Sequence, residues 1–200
     1  MAANSSAIIN SDCYPLASSR AHAASPSVSI QPLADGTAGT FQTLAAMRGA
    51  VLGAIPPDFS GYQDPYNAQA AKNIIGSSFG SVVAPLFAYV RDVVFYVNHP
   101  WNMQVVKDCR RTLESRTGDC VSKSVCLATL LATRGIVSRF VAQAPDGVNH
   151  EHVYIQAMLN GQWISLDPTA DGRDGRPFGD IGWSQQLPKG GIETPYTIFF

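Results

Sequence analysis

The chain has 200 residues, of which 46% are hydrophobic and 14% charged, and its formal net charge at pH 7 is −1. This composition suits one globular domain, with or without a tail, that buries a sizeable core. The balanced charge excludes both the basic surplus of a nucleic-acid-binding protein and the acidic surplus of a solvating tail. Apolar stretches are broken by charge or proline well short of a membrane span, so no membrane partner is expected.

Four cysteines are present, Cys13, Cys109, Cys120 and Cys126, and their spacing does not form two CxxC pairs. Without such pairs a structural zinc site is not expected, and a disulfide framework is not favoured in a chain of this length. The first 20 residues lack the basic region and apolar run of a secretory signal. We therefore expect a soluble protein with reduced thiols, no bound metal and no cofactor.

The composition changes along the chain and divides it into three segments. Residues 1–40 are rich in Ser, Ala, Pro and Gly, with few large apolar side chains. Such a segment buries too little surface to offset the entropy of ordering, so it is predicted to form a flexible arm. Residues 41–80 are predicted as a helical lead-in, and residues 81–200 as the main domain.

Helices are predicted at four places in the first part of the chain. One spans 41–52 and ends before paired prolines, and a shorter one spans 67–75 and stops at a glycine. The clearest spans 82–97, where apolar residues recur at helical spacing behind Ser81 as the N-cap. A short helix is predicted over 109–115.

The second half of the chain gives the strongest pattern. Apolar residues cover most of the circumference of a predicted helix over 119–134, which is therefore expected to be buried. Strands are predicted over 136–144, 151–159 and 162–167. Between the last two strands lies Asn160-Gly161, a strong signal of a two-residue β-hairpin turn.

Cys120 is the candidate nucleophile because it falls in the first turn of the predicted buried helix, directly after Gly118-Asp119. The unpaired N–H groups at a helix N-terminus lower the pKa of a thiol and can hold an oxyanion. Gly118 is expected to leave room for a substrate. The alternative for Cys120 is a small buried apolar residue, a common fate of free cysteines.

The predicted hairpin brings a histidine and an aspartate together. With a two-residue turn, Leu159 pairs with Gln162, and Tyr154 lies opposite Asp167. Side chains alternate between faces, so His152 and Asp167 share one face and lie diagonally across the two strands, within reach of each other. A carboxylate in this position fixes the tautomer of an imidazole. The alternative is a surface histidine beside an ordinary residue at a strand end.

His150 competes with His152 for the role of base. It has the same strand parity but lies farther from Asp167, so His152 is preferred on geometry. Trp163 faces the same side of the hairpin, where it either walls a cleft or covers core.

The run RTLESRTGDCVSKSVCLATLLATRGIVSRFV, followed by HVYIQAMLNGQWISLDPT, resembles the transglutaminase-like superfamily, and more narrowly its bacterial and bacteriophage members. The resemblance covers about residues 82–184 of the sequence. It implies an α+β fold with a papain-like, transglutaminase-like core, in which a helical N-terminal half packs on a small antiparallel sheet. It also implies Cys120 as nucleophile, His152 as base and Asp167 as the group that orients the base, within a catalytic domain over 81–200.

A second oxyanion donor is expected beside the amide of Cys120. The candidates, named by their chemistry alone from a predicted upstream loop, are Trp101, Asn102 and Gln104. Trp101 is alternatively a packing residue. Relatives often carry an acidic residue at the position of Val121. This difference bears on the substrate contacts expected at that position and leaves the assignment of Cys120 as nucleophile unchanged.

The expected activity is cysteine acyl transfer on peptide or isopeptide amide bonds through a thioester, with hydrolysis favoured over cross-linking. The expected partner is a peptide or protein substrate, and the oligomeric state is left open. The expected location is the bacterial cytoplasm, or a virus particle if the gene belongs to a phage.

Two alternatives remain at this point. A non-catalytic member of the same fold would serve as a binding or structural component, for which the Ser/Ala-rich arm is suited. A metal site would use Cys120, His152 and Asp167 as ligands.

Overall fold

The computed structural model describes residues 28–32, 36–54, 64–76, 82–98, 103–169 and 190–199. The helices of this part are α1 (Gly36–Ala54), α2 (Pro65–Ile75), α3 (Val83–Val93), α4 (Cys109–Ser115) and α5 (Cys120–Ala132). Its strands are β1 (Val28–Pro32), β2 (Phe95–Tyr96), β3 (Met103–Lys107), β4 (Thr117–Gly118), β5 (Ser138–Ala144), β6 (His152–Leu159), β7 (Gln162–Leu166) and β8 (Ile192–Thr197).

The largest sheet is antiparallel and has the strand order β7-β6-β5-β8. Two smaller pairs accompany it, β1 with β3 in antiparallel and β2 with β4 in parallel orientation. The helices α1, α3 and α4 pack against α5, and α5 lies on the sheet through β5 and β6. The predicted α+β class, with helices on a small antiparallel sheet, is confirmed.

Helix α5 is the centre of the core, as its all-round apolar pattern predicts. Every residue from Val121 to Ala132 is buried. The helix begins where the Asp119 carboxylate accepts a hydrogen bond of 2.9 Å from the backbone N–H of Ser122, which satisfies one of the unpaired donors of the first turn. This anchoring fixes the position of Cys120 at the helix start.

Helix α3 ends at Val93, so the prediction of a helix over 82–97 is wrong at its C-terminal end. The chain becomes extended at Val94 and continues as β2, which pairs with β4. The ammonium group of Lys123, from α5, donates to the carbonyl oxygens of Arg91 at 3.0 Å and Val94 at 2.8 Å. A helix end leaves such carbonyls without partners, so a distant lysine stabilises the early termination.

The β6–β7 hairpin has the predicted register. Leu159 pairs with Gln162, and Ile155 pairs with Leu166. Asn160 and Gly161 both have positive φ, 51° and 78°, as a tight hairpin turn with the right-handed strand twist requires. The alternation of faces also follows the prediction, since Ile155 and Leu166 enter the main core while His152 and Tyr154 belong to the other face.

Five of the strands, β1, β2, β3, β4 and β8, were not predicted from the sequence. Within the segment predicted as an arm, 1–40, strand β1 pairs with β3 and helix α1 begins at Gly36, while residues 1–27 and 33–35 lie outside the described part. Strand β8 is the edge strand beside β5, a position that tolerates Pro195 because an edge has hydrogen-bonding groups without sheet partners. Strand β3 replaces the predicted loop around Gln104.

Among the described residues, no helix combines the length and hydropathy that crossing a membrane requires. Ser81, the predicted N-cap of α3, lies outside the described residues, and α3 begins at Val83.

Candidate active site

Cys120 occupies the start of α5 and carries a free thiol. Its sulfur interacts with the backbone N–H groups of Val121, in the same helical turn, and of Val153, on β6. Two N–H groups from different elements therefore converge on this sulfur. The sequence places one of them, at the helix N-terminus, and the second comes from the sheet on which the helix packs.

Burial raises the pKa of the Cys120 thiol to about 12, and the nearby carboxylates of Asp119 and Asp167 act in the same direction. The N–H groups of Val153 and Val121 oppose this shift without outweighing it. The N–H group at the helix N-terminus therefore acts on the thiol pKa in the predicted direction, but the net shift is upward. Its physical reason is desolvation, which disfavours the thiolate more than two N–H donors stabilise it.

His152 and Asp167 form the predicted pair. The distance from His152 Nε2 to Asp167 Oδ2 is 2.8 Å, and the Asp167 side chain is only 2% exposed. The other carboxylate oxygen, Oδ1, accepts from the backbone N–H of Thr169 at 2.9 Å and from its hydroxyl at 2.7 Å. Both oxygens of this buried carboxylate are therefore held in place.

The pKa of Asp167 reflects these contacts. Burial acts to raise it, but the hydrogen bond and charge of His152, together with the two donors of Thr169, hold the pKa below its usual range. A carboxylate that stays ionised beside the imidazole keeps Nε2 in the protonated, donating form, which leaves Nδ1 as the ring atom suited to proton exchange.

A cavity of about 200 Å³ joins Cys120 and His152. Its wall also includes Gln104, and helix α1 contributes Leu44 and Met47 to its apolar part. The two side chains thus open into one space. Sequence analysis missed the contribution of α1, because nothing in its pattern reveals what it packs against.

Gln104 is the one predicted oxyanion candidate among the described residues, since Trp101 and Asn102 lie outside them. It stands on strand β3, where the sequence predicted a loop, and lines the same cavity as Cys120. Its Nε2 atom is buried and has no hydrogen-bond partner within the described structure. A buried amide donor without a partner is costly, and a group bound in the cavity would satisfy it.

His150 also lines the cavity but does not compete for Asp167. Its Nε2 lies 3.0 Å from the hydroxyl oxygen of Thr194, on β8. Of the two histidines, His152 is the one that contacts Asp167, and its role as base stays a prediction. Trp163 lies outside the cavity wall and packs against the Arg139 guanidinium, 4.2 Å from the ring centroid.

Tyr96 is a neighbour of Cys120 that sequence analysis missed. It pairs in register with Gly118, two residues before Cys120, and burial together with the nearby Cys120 and Asp119 raises the pKa of Tyr96 to about 12. In the sequence, Tyr96 sits inside the apolar run that predicted a longer α3, and this pattern concealed its position on a strand. The only sequence signal that would have helped is the pair of consecutive aromatic residues, Phe95 and Tyr96, at the end of that run.

The expectation that Gly118 leaves room for a substrate is not met. Gly118 is buried and pairs with Tyr96, and a Cβ atom at this position would lie 3.0 Å from Cβ of Ser122. The absence of a side chain serves the close packing of β4 against α5. Among the described residues, no group of three or more His, Cys, Asp or Glu side chains is arranged to hold a metal ion.

Part of this chain is similar to known proteins. A family model described as the transglutaminase-like superfamily matches residues 68–168. The chain is 32% identical over 80 residues to a peptide-N(4)-(N-acetyl-beta-glucosaminyl)asparagine amidase of Caenorhabditis briggsae, and the match covers 40% of this chain and 13% of that protein.

Two solved structures are similar to this chain, each at 16% sequence identity. A candidate protease of Parabacteroides distasonis has a TM-score of 0.49, over 62% of this chain and 25% of that chain. A candidate cysteine protease of Cytophaga hutchinsonii has a TM-score of 0.43, over 64% and 45%.

The family match covers half of the chain and includes the helix start at Cys120 and the hairpin that carries His152 and Asp167. The chain spans 13% of the length of its curated relative, so the similarity concerns this domain alone. The predicted superfamily is confirmed, and the narrower bacterial or bacteriophage type stays a prediction. The chain belongs to the transglutaminase-like superfamily.

Proposed function

We propose that this protein is a cysteine acyl-transfer enzyme that hydrolyses amide bonds through a thioester on Cys120. The observation that carries the proposal is the 2.8 Å hydrogen bond between His152 and the buried Asp167, at the wall of the cavity that also holds the Cys120 thiol. A nucleophile, a base and a group that orients the base are the minimum set for this chemistry. The superfamily match supports the same roles.

In the proposed reaction, the resting thiol is neutral, because burial raises its pKa to about 12. His152 accepts the thiol proton at Nδ1 as the sulfur bonds to the substrate carbonyl carbon, and the carbonyl oxygen becomes an oxyanion. The intermediate collapses, the C–N bond breaks, and the departing nitrogen takes the proton from His152. Water then attacks the thioester with His152 again as base, releasing a carboxylic acid and the free thiol.

Two groups are suited to hold the oxyanion. The backbone N–H of Cys120 lies at the start of α5, where the helix dipole also favours negative charge. The Gln104 side chain supplies a buried N–H donor that has no partner within the described structure. We assign Gln104 as the second donor; Trp101 and Asn102, the other two candidates from the sequence, lie outside the described residues.

The substrate is proposed to be a peptide or protein amide. The matched relative is named as an amidase acting at an asparagine side chain, which supports amide hydrolysis over transfer to an amine. The cavity of about 200 Å³ has an apolar wall from Leu44 and Met47 and a polar rim that includes Asn149 and Glu151. A neutral or cationic group suits such a rim better than an anionic one, because Glu151 would repel a negative charge.

The test is a screen of peptide and glutamine-amide substrates, run with and without an added amine. Hydrolysis predicts release of a carboxylic acid in both conditions, whereas cross-linking predicts an amine-dependent product. Cys120→Ala is expected to abolish turnover while keeping the wild-type circular dichroism spectrum, and Cys13→Ala serves as the thiol control. Turnover retained by Cys120→Ala would refute the assignment.

A second measurement separates an enzyme from a non-catalytic binding protein of the same fold. Iodoacetamide is added to the folded protein near neutral pH, and the alkylated cysteines are identified by mass spectrometry. Cys109 and Cys126 are fully buried, with their sulfurs 3.4 Å apart, so they are expected to react only after unfolding. Alkylation of Cys120 that is lost in His152→Ala supports the enzyme; alkylation of Cys120 that is the same in wild type and His152→Ala supports the binding protein.

A further inference from the structure

Two cysteines meet in the core, away from the cavity that holds Cys120. The sulfur of Cys109, the first residue of α4, lies 3.4 Å from the sulfur of Cys126, in the middle of α5. Both residues are 0% exposed, and neither lines the cavity. They are 17 positions apart in the chain, so the packing of α4 on α5 brings them together.

The two helices hold both sulfurs in place. Helix α4 begins at Cys109, where the carboxylate of the N-cap residue Asp108 accepts a hydrogen bond of 2.7 Å from the Arg111 N–H. Cys126 belongs to the stretch of α5 that is buried on all sides. Its sulfur also lies 3.9 Å from the carbonyl oxygen of Cys109. The two side chains therefore face each other from fixed backbone positions.

The distance between the sulfurs is close to what a covalent bond requires. A disulfide joins two sulfurs at about 2.03–2.05 Å, so from 3.4 Å each sulfur has to move by about 0.7 Å. A rotation of roughly 25° about each Cα–Cβ bond supplies this movement, within the ordinary width of a rotamer well. Neither helix has to be displaced.

The same geometry excludes Cys120 as the partner of Cys126. Both belong to α5, and six residues along a helix correspond to about 9 Å of rise and about 120° of rotation around the axis. A disulfide does not span such a separation. Oxidation of the core pair therefore leaves the thiol of Cys120 free.

We propose that Cys109 and Cys126 are a disulfide-forming pair, which links α4 covalently to α5 when the protein folds in the presence of a disulfide oxidant such as oxidised glutathione. The loop that this bond closes contains β4 and the start of α5, and so it encloses the turn that presents Cys120. Without an oxidant the two residues remain thiols in contact. The inference stands independently of the proposed function, because it concerns the frame around Cys120 and not the chemistry of its thiol.

The bond forms by two thiol–disulfide exchanges. One cysteine attacks oxidised glutathione as a thiolate, forms a mixed disulfide and releases one glutathione thiol; the other cysteine then attacks the protein sulfur of that disulfide and releases the second. The pair loses two electrons and two protons, and the glutathione gains both. The first step precedes closure of the core, because burial raises the pKa of the folded Cys109 thiol well above its ordinary value, and the thiolate is the reactive form.

Peptide mapping tests the pairing directly. The full chain is reduced and unfolded in urea, refolded by dilution into a buffer of reduced and oxidised glutathione, blocked with N-ethylmaleimide and digested without reductant. The expected product, in most molecules, is the peptide of Cys109 joined to the peptide of Cys126 with the loss of two hydrogen atoms. A map in which both remain blocked thiols, or in which either is joined to Cys120, would overturn the proposal.

Melting temperatures test the effect of the bond on the fold. Linked wild type is expected to melt about 5 °C or more above the same protein reduced with a phosphine, because a disulfide restricts the unfolded chain. Cys109→Ala and Cys126→Ala are expected to show no such difference, whereas Cys13→Ala keeps it. Equal melting temperatures of the two wild-type forms, or a difference that persists in folded Cys109→Ala, would contradict the proposal. If a variant does not fold, the peptide map of wild type still decides.

A burst assay shows whether Cys120 stays free. p-Nitrophenyl acetate acylates a reactive thiol and releases p-nitrophenolate, with Cys120→Ala as the background. Refolded wild type whose intact mass shows no bound glutathione is expected to give the same burst amplitude as reduced wild type. A burst lost in the linked form alone would mean that Cys120 takes part in the pairing, against the proposal. The absence of a burst in both forms would count against the proposed function and not against the disulfide.

Discussion

His152 and Asp167 are joined by a hydrogen bond of 2.8 Å although they do not stand opposite each other in the sheet. The register that pairs Ile155 with Leu166 places Asp167 level with Tyr154, so the contact to His152 runs diagonally between β6 and the end of β7. A diagonal pair on one face of adjacent strands is within reach of an imidazole and a carboxylate. The hairpin therefore orients the His152 ring from the sheet, independently of α5.

Asp167→Asn is expected to lower kcat for amide hydrolysis by roughly 10²–10⁴-fold, because the orienting carboxylate fixes the tautomer of the base. The amide nearly preserves shape, so the fold is expected to survive. The measurement is kcat on whichever substrate the screen identifies, or the p-nitrophenyl acetate burst. Activity within a few-fold of wild type would show that His152 does not need this partner.

The same aspartate is expected to make stability fall in acid. Its folded-state pKa is held below the usual value by His152 and Thr169 against the effect of burial. A depressed carboxyl pKa contributes stability above the unfolded-state pKa, about 3.9, and this contribution is lost as pH falls through the folded-state pKa. Urea unfolding between about pH 6 and pH 2 is expected to show the advantage of wild type over Asp167→Asn shrinking. An advantage that is constant or grows in acid would contradict the assignment.

Lys123 is expected to make the free energy of unfolding depend on pH in the neutral to alkaline range. Burial lowers the pKa of this lysine to about 8, from its ordinary value of 10.5. Between these values the unfolded chain holds more protons than the folded chain, so wild-type stability rises with pH. Relative to Lys123→Met, which has no titrating group, wild type is expected to gain about 1–2 kcal/mol from pH ~7 to pH ~9.5. Urea unfolding at both pH values measures this difference, and no gain would mean that the lysine is not desolvated.

Two glycine-to-alanine substitutions are expected to change the stability of the fold in opposite directions. At Gly118 a Cβ would lie 3.0 Å from Cβ of Ser122 and 3.4 Å from the backbone nitrogen of Lys123. Gly118→Ala is therefore expected to destabilise by about 1–3 kcal/mol through overpacking. Gly53→Ala, in α1, meets nothing within 4 Å and is expected to stabilise by about 0.5–1 kcal/mol through helix propensity.

Thermal and urea unfolding of both variants check the pair. The Gly53 variant controls for the general effect of adding a methyl group. Equal changes at the two positions would mean that the close contact of β4 with α5 does not constrain residue 118.

Local patterns were sufficient for much of the site. The periodicity of α5 predicted burial from Val121 to Ala132, and the turn residues Asn160-Gly161 fixed the register of the hairpin. Because that register decides which side chains share a face, His152 and Asp167 were predictable as a pair. These features depend on residues close together in the sequence, where propensity and alternation act directly.

Contacts between distant segments were not predictable in this way. The end of α3 depends on Lys123, and the position of Tyr96 depends on the pairing of β2 with β4. Strand β3, which carries Gln104, needs β1 as its partner. Each of these elements is short and takes its stability from a partner far along the chain, so its own residues carry little signal.

The amino-acid order alone determined a buried helix that begins at Cys120 and a hairpin whose one face carries His152 and Asp167. The tertiary structure decided the pKa of the thiol, the cavity that α1 and β3 complete, and the pairing that brings Tyr96 next to the start of α5. The physical reason is that a pKa and a hydrogen bond depend on the atoms that surround a group in space. Propensity and periodicity describe only its neighbours along the chain.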